Sequence, residues 1–164
     1  MKTKKYRVEV DSDNTIRFYK WGSKGKVLHR ENGPAVELAE GDKYWYLNGK
    51  YHREDGPAIE CADGTKHWYL HGKLHREDGP AIEHANGDKS WYLNGNLHRE
   101  DGPAIEYAGG NKYWWCLNGG LHREDGPAVE CVDGYKEYWY NDEEFPSIKT
   151  TAQWKRHLKL IRFE

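Results

Sequence analysis

A histidine, an arginine and two acidic residues recur together along this chain, in a combination that could do chemistry. The segment His-Arg-Glu-Asp-Gly-Pro-Ala occurs at residues 52–58, 75–81, 98–104 and 122–128, and as His-Arg-Glu-Asn-Gly-Pro-Ala at 29–35. Imidazole and carboxylate groups bind metal ions, and a guanidinium group binds phosphate oxygens. Three kinds of site therefore need to be weighed: a metal site, a catalytic site and an anion site.

The metal and catalytic interpretations fail on spacing and on repetition. With two strands per copy, equivalent histidines would lie about 9.6 Å apart, whereas metal–nitrogen bonds of about 2 Å need ligands that nearly touch. A kinase-like His-Arg-x-Asp loop would need a Gly-rich nucleotide loop and an Asp-Phe-Gly segment, and the sequence has neither. A catalytic group is present once, whereas this segment is repeated. The sequence therefore predicts no metal, no cofactor and no enzymatic activity.

The arginines leave two alternatives open. Each could bind a phosphate group, as in a sponge that sequesters a small anionic nucleotide, or could pair with the aspartate of its own or a neighbouring turn. The Arg-Glu-Asp run is net negative, which favours internal pairing. In the anion-binding alternative, the site residues are His52, Arg53, His75, Arg76, His98, Arg99, His122 and Arg123.

The elements that position these side chains follow from the repeat, whose period is 23 residues with one copy of 24. Each copy contains two turn dipeptides, such as Asp63-Gly64 and His71-Gly72, which suit β-hairpin turns. The runs between them are predicted to be strands, two per copy and about twelve in all. A two-residue loop at Asp63-Gly64 would place Ile59 opposite Trp68. One extra residue in the run 113–117 is expected to form a β-bulge.

The two ends of the chain differ from the repeats. We predict a degenerate hairpin repeat that caps the array over residues 1–28, five hairpin repeats over 29–145, and a basic amphipathic helix and tail over 146–164, together one domain. In the helix, Ser147 is the predicted N-cap, and a buried stripe holds Trp154, Leu158 and Ile161. The predicted fold is all-β: an elongated antiparallel meander of stacked β-hairpin repeats with a C-terminal capping α-helix.

Composition excludes several classes of protein. Aromatic residues make up 14% of the 164 residues, which is atypical of a disordered chain. A net charge of −2 argues against a nucleic-acid-binding surface. The basic N-terminus is not followed by the apolar run of a signal peptide, and no run approaches the ~20 apolar residues of a membrane helix. Three cysteines do not suit a disulfide framework. We therefore expect a cytoplasmic protein without membrane insertion.

The second half of each copy carries a resemblance to a known family. Tyr46-Leu-Asn-Gly-Lys-Tyr51 and Tyr92-Leu-Asn-Gly-Asn-Leu97 resemble the variant MORN repeat, whose members stack β-hairpins into an elongated sheet. The longer form, Trp-Tyr-Leu-Asn-Gly-x-Leu-His-Arg-Glu-Asp-Gly-Pro-Ala, resembles repeat proteins of bacteriophages and large DNA viruses. The resemblance implies a scaffold or interaction module, in some cases dimeric, and some variant members resemble antitoxin or immunity proteins.

These observations lead to one functional hypothesis with two alternatives. The leading hypothesis is a non-enzymatic, protein-binding repeat module of viral or phage type that inhibits a defence-related host protein in the host cytoplasm. The alternatives are the nucleotide sponge and an immunity or antitoxin protein that neutralises a toxin. The predicted contact residues are aromatic or basic: Tyr113, Trp114, Trp115, Trp139, Trp154, Lys155, Arg156 and Lys159.

Overall fold

The computed structural model describes residues 6–23, 25–109, 113–114 and 116–161, which form short strands followed by one helix. The elements are β1 (Arg7–Val10), β2 (Ile16–Gly22), β3 (Gly25–Leu28), β4 (Val36–Glu37), β5 (Lys43–Tyr44), β6 (Tyr46–Leu47), β7 (Lys50–Tyr51), β8 (Ile59–Glu60), β9 (Lys66–His67), β10 (Tyr69–Leu70), β11 (Lys73–Leu74), β12 (Ile82–Glu83), β13 (Lys89–Ser90), β14 (Tyr92–Leu93), β15 (Asn96–Leu97), β16 (Ile105–Glu106), β17 (Tyr113–Trp114), β18 (Cys116–Leu117), β19 (Gly120–Leu121), β20 (Val129–Glu130), β21 (Lys136–Glu137), β22 (Trp139–Tyr140), β23 (Glu143–Glu144) and α1 (Thr151–Ile161).

Two compact units make up the chain, Met1–Ala85 and Asn86–Glu164. In the first unit, β1, β2, β4, β5, β8, β9 and β12 pair in that order, and β3 pairs with β2. In the second unit the order is β13, β16, β17, β20 and β21. Separate two-stranded hairpins follow in each copy: β6–β7 and β10–β11, then β14–β15, β18–β19 and β22–β23. The predicted all-β antiparallel meander of hairpin repeats with a C-terminal helix is confirmed.

Each full copy contains four short strands, so the prediction of two strands per copy is wrong. The reason lies at the tryptophan, which joins the first hairpin to the second. The Trp68 N–H donates to the Ala81 carbonyl (2.8 Å) in the meander, and the Trp68 carbonyl accepts from the His75 N–H (3.1 Å). The chain therefore changes pairing partners at this residue, and each copy contributes to two rows of hairpins.

The predicted register of the first hairpin is wrong by one residue. Ile59 pairs with His67 rather than with Trp68. The loop has three residues, 62–64, because the Cys61 N–H donates to the Thr65 carbonyl (2.9 Å) and the Gly64 N–H donates back to the Cys61 carbonyl (3.0 Å). With Gly64 at a φ of +95°, this is the three-residue hairpin loop with a glycine bulge, which uses the same Asp-Gly dipeptide as a two-residue turn.

The second hairpin has the predicted two-residue turn. Leu70 pairs with Lys73 across His71 and Gly72, both of which have positive φ (52° and 84°), as a type I′ turn requires. Asn48 and Asn94 take the place of His71 in other copies, with φ of 56° and 55°. Asparagine tolerates this conformation better than most residues, which explains the Asn-Gly dipeptides.

The predicted β-bulge in the fourth full copy is also wrong. Ile105 pairs with Trp114, and Trp114 pairs in turn with Val129 without interruption. Trp114 therefore occupies the place that Ser90 holds in the preceding copy, where Ser90 pairs with Ile105. The additional residue falls in the connection between β16 and β17, so the pairing of the strands is preserved.

Helix α1 begins after Thr150 rather than after the predicted N-cap Ser147. The Thr150 hydroxyl accepts from the Gln153 N–H (3.2 Å), and the Gln153 side chain accepts from the Thr150 N–H (3.0 Å), which is a capping box. The predicted apolar stripe is confirmed, because Trp154 and Leu158 are buried against Tyr138. The described residues contain no helix of the length and apolar character that a membrane crossing requires.

We expect Gly64→Ala to lower the free energy of unfolding by about 1–2 kcal/mol, because the left-handed conformation is unfavourable for a residue with a Cβ atom. An added Cβ at this position meets nothing within 4 Å, so the cost isolates the backbone strain. Gly64→Asn is the control, since Asn14 adopts a φ of 62° in the corresponding loop before β2. Urea unfolding would show a smaller loss for Asn than for Ala, and equal losses would contradict this explanation.

Candidate functional site

The arginine of each His-Arg-Glu-Asp-Gly-Pro-Ala loop is held by two carboxylates and a carbonyl. Arg76 donates from Nε to Asp78 Oδ1 (2.9 Å), and from Nη1 to the Pro80 carbonyl (3.2 Å) and to Glu83 Oε1 (2.9 Å). Arg53, Arg99 and Arg123 make the same three kinds of bond. Internal pairing of the arginines, one of the two alternatives left open by the sequence, is therefore observed.

The same guanidinium is also closely packed. The Arg76 guanidinium carbon lies 4.1 Å from the centre of the Trp68 ring, a cation–π contact. A Cβ atom on Gly79 would lie only 3.0 Å from that carbon, so a larger residue there would press on the guanidinium. We call this arrangement the arginine clamp: in this copy it comprises Arg76, Trp68 and Gly79 with the three acceptors named above. Arg53 and Arg99 stack on Trp45 and Trp91 in the same way, at 4.2 and 4.0 Å.

The histidine of the loop supports the second turn of its own copy. Nδ1 of His52 accepts from the His71 N–H (3.1 Å), at the first residue of the type I′ turn. His29, His98 and His122 accept in the same way from the N–H groups of the corresponding turns, at 3.0, 3.3 and 3.1 Å. Nδ1 is therefore the unprotonated nitrogen, and the proton lies on Nε2, which is 3.6 Å from Glu54 Oε1. A histidine in this role ties the loop at the start of a copy to the turn near the end of that copy.

These contacts bear directly on the anion-binding alternative. A phosphate at Arg53 or Arg76 would compete with the carboxylates that already bond the guanidinium. The imidazoles of His52, His98 and His122 are already acceptors for backbone N–H groups. The geometry gives both residue types a structural role, and nucleotide binding stays a prediction.

Grooves with apolar floors separate successive loops. In the first unit, one groove of about 760 Å³ lies between the loops 30–33 and 52–55, with Trp45 and Leu47 in its lining. The next, of about 700 Å³, lies between the loops 53–57 and 75–78, with Trp68 and Leu70 in its lining. In the second unit, a groove of about 360 Å³ has Cys116 and Leu117 between the loops 99–100 and 122–125. We call these the inter-loop grooves.

The rims of the inter-loop grooves are acidic. The Glu54 and Glu77 side chains are both 82% exposed and are not acceptors in the arginine clamp. Asp55 and Asp78 are exposed to a similar degree, although each bonds its arginine. Hydrogen bonding to Arg76 lowers the pKa of Asp78 below its ordinary value, and Arg53 does the same for Asp55. These carboxylates remain charged under all but acidic conditions.

The residues predicted to bind a partner lie on α1 and on two strands, and they differ in exposure. Trp154 is fully buried, with Nε1 donating to the Arg123 carbonyl (3.0 Å), so a partner cannot reach it in the folded chain. Trp139 is half-buried, and its Nε1 donates to Glu137 (3.0 Å). Tyr113 and Trp114 form β17, and Trp115 lies outside the described residues. The remaining three residues, Lys155, Arg156 and Lys159, are exposed on α1, and their binding role stays a prediction.

The leucines of the groove floors were not among the predicted site residues. Leu47 and Leu70 stand two residues after the tryptophan in the repeat, at the same position in each copy. Their recurrence was a usable signal, but it is equally typical of a packing residue. Only the half-buried side chain at the base of a groove distinguishes the two roles.

Burial shifts the pKa values of two cysteine thiols and one histidine towards their uncharged forms. Burial raises the pKa of the Cys116 thiol to about 11 and also raises that of Cys61. His67 pairs with Ile59 and with Ile82 in the sheet. Burial on this face lowers the pKa of the His67 imidazole. Among the described residues, no three His, Cys, Asp or Glu side chains are grouped so that they could hold a metal ion.

Comparisons with known proteins add no assignment. No family model, no curated protein and no solved structure matches the chain. The resemblance to the variant MORN repeat therefore stays a prediction, and the functional argument rests on the clamps and grooves.

We expect Arg76→Lys to lower the free energy of unfolding by about 1–2 kcal/mol, because an ammonium group cannot reproduce the planar fork and the stacking on Trp68. The control is Lys73→Gln, an exposed cation of the same copy, which should change stability by less than about 0.5 kcal/mol. Urea unfolding of the three proteins measures both effects. Equal stability of Arg76→Lys and the unmodified chain would mean that the clamp is not needed.

Acid should destabilise the protein in two steps. The lowered pKa of His67 means that its stabilising contribution is present above about pH 6.5 and is lost as the pH falls through the folded value. The pKa values of three loop carboxylates are also lowered, at Asp55, Asp78 and Asp101. Their stabilising contribution is therefore present above about pH 3.9 and is lost below it. Thermal unfolding between about pH 7 and pH 3 should show both losses. Asp78→Asn should flatten the lower step, and an unchanged profile would contradict this assignment.

Proposed function

We propose that this protein is a non-enzymatic repeat module that binds another protein through its inter-loop grooves. The observation that carries the proposal is the recurrence of the same groove, with a tryptophan and a leucine in the lining and glutamates on the rim, at two successive places in the first unit. A recurring surface suits an extended partner, because each copy adds one equivalent contact. The raised thiol pKa values of Cys61 and Cys116 support a binding role over nucleophilic catalysis.

The viral inhibitor and immunity-protein roles are versions of this proposal. In both, the module occupies a surface that its partner needs for activity, and the two differ in the identity of that partner. Purification of a partner enzyme or toxin followed by an activity assay with and without the module would support inhibition. Unchanged activity in the saturated complex would leave a scaffold or adaptor as the function.

The nucleotide sponge is distinguished by its use of the arginines. A sponge predicts a stoichiometric phosphate-bearing ligand that is lost in Arg76→Ala. The binding module predicts that this change acts through stability alone, because Arg76 is enclosed by Asp78, Glu83 and Trp68. Native mass spectrometry of both proteins separates these outcomes.

We expect Leu70→Arg to reduce stoichiometric recovery of a co-purifying partner by at least about tenfold, because the long charged side chain would fill the groove and replace its apolar lining. Val10→Arg is the control: the substitution is the same, on a residue that is 61% exposed in β1. Native mass spectrometry of the tagged proteins, with urea unfolding to confirm equal folding, measures the effect. Equal recovery with both variants would exclude the grooves as the binding surface.

A further inference from the structure

We propose that the inter-loop grooves of the first unit bind an extended, polyproline II-like segment of a partner protein that carries lysine or arginine at every third position. This proposal rests on the proposed function and specifies the chemistry of the partner. It is argued from three independent features: the charge of the groove rims, the way the chain's own basic helix sits on the last loop, and the spacing of the copies.

The first feature is the sign of the charge at the groove rims. The arginines are neutralised inside the arginine clamps, whereas Glu54 and Glu77 project into solvent at 82% exposure. Residues 1–146 carry a net charge of −6, and residues 147–164 carry +4. A cationic side chain lying in a groove would place its aliphatic part on Trp68 and Leu70 and its charged end beside the glutamates.

The second feature is that helix α1 already lies against one of these loops within this chain. A cleft of about 320 Å³ is lined by Glu124 and Asp125 of the last loop and by Lys155, Leu158 and Lys159 of the helix. The loop is correspondingly covered: the Glu124 side chain is 48% exposed, against 82% for the equivalent Glu54 and Glu77. A basic segment with an apolar anchor is therefore the kind of polypeptide that seats against this type of loop.

The third feature is the spacing between copies, which selects the conformation of the partner. Equivalent loops lie two strands apart, or about 9.6 Å. A polyproline II segment repeats every three residues over about 9.3 Å and returns each third side chain to the same side. An α-helix needs seven residues, or about 10.5 Å, to return a side chain to the same side. Over two spacings between loops, the helix would be almost 2 Å too long. In a β-strand, residues three apart point to opposite faces. The polyproline II period fits best.

The test uses synthetic peptides and the full-length chain. The probe contains four Lys-Pro-Gln triplets, and a control peptide has the same composition with its four lysines at every second position. We expect isothermal titration calorimetry to give a dissociation constant at least about tenfold lower for the triplet peptide. Equal affinities would overturn the proposal, because attraction between net charges does not depend on spacing.

Matched variants locate the site on the chain. The double variant Glu54→Gln, Glu77→Gln should abolish the preference for the triplet peptide. Glu40→Gln, Glu143→Gln makes the same change in net charge at exposed positions outside the grooves and should leave the preference intact. Retention of the preference in the first variant would overturn the placement.

Failure of this proposal is distinguishable from failure of the proposed function. If Leu70→Arg releases a natural partner but the triplet peptide shows no preference, the grooves bind protein and the proposed partner chemistry is wrong. If Leu70→Arg leaves a natural partner bound, the proposed function itself fails.

Discussion

The arginine clamp is the interaction on which each copy depends. The buried side chain common to the copies is an alanine, fully inaccessible at Ala35, Ala58, Ala81, Ala104 and Ala128, and a methyl group contributes only about 0.8 kcal/mol on burial. Apolar burial of this size cannot offset the entropy of ordering a loop of six residues. In the loops of Arg53, Arg76 and Arg99, one guanidinium group instead bonds two carboxylates and a carbonyl while lying on a tryptophan. In the first copy, Arg30 bonds Glu37 and the Pro34 carbonyl and lies over Phe18. The glycine of each loop leaves room for the guanidinium.

The positions of turns could be predicted from the sequence, whereas the number of residues in each loop could not. Asn-Gly and His-Gly dipeptides led to the correct second hairpin because two successive positive φ angles leave few residue choices. Asp63-Gly64 suits both a two-residue turn and a three-residue loop with a glycine bulge. In the three-residue loop Asp63 accepts a hydrogen bond from the Thr65 N–H (2.7 Å), a local contact that no periodicity reveals.

The candidate site was predicted in part. Charge counting anticipated that the arginines pair internally, because the acidic partners lie within the same segment. Composition could not separate Trp154, which lies on the buried face of α1, from tryptophans that reach a surface. The groove floors were missed because a repeated leucine has the same signature in a core and in a binding surface. Exposure is a property of the folded copy, and the repeat pattern gives few sequence cues to which face is covered.

The tryptophan at which the chain changes pairing partners also determines how the array can be extended. The N–H and carbonyl groups of Trp68 bond Ala81 and His75, which both belong to the next copy. Trp45 and Trp91 do the same in their copies, so these bonds join immediate neighbours. A whole copy can therefore be gained or lost without altering the bonds made by the others. In the proposed binding role, the change would be in the number of grooves, and with it in the avidity for a partner that itself repeats. Copy number would then set binding strength separately from the chemistry of any one groove.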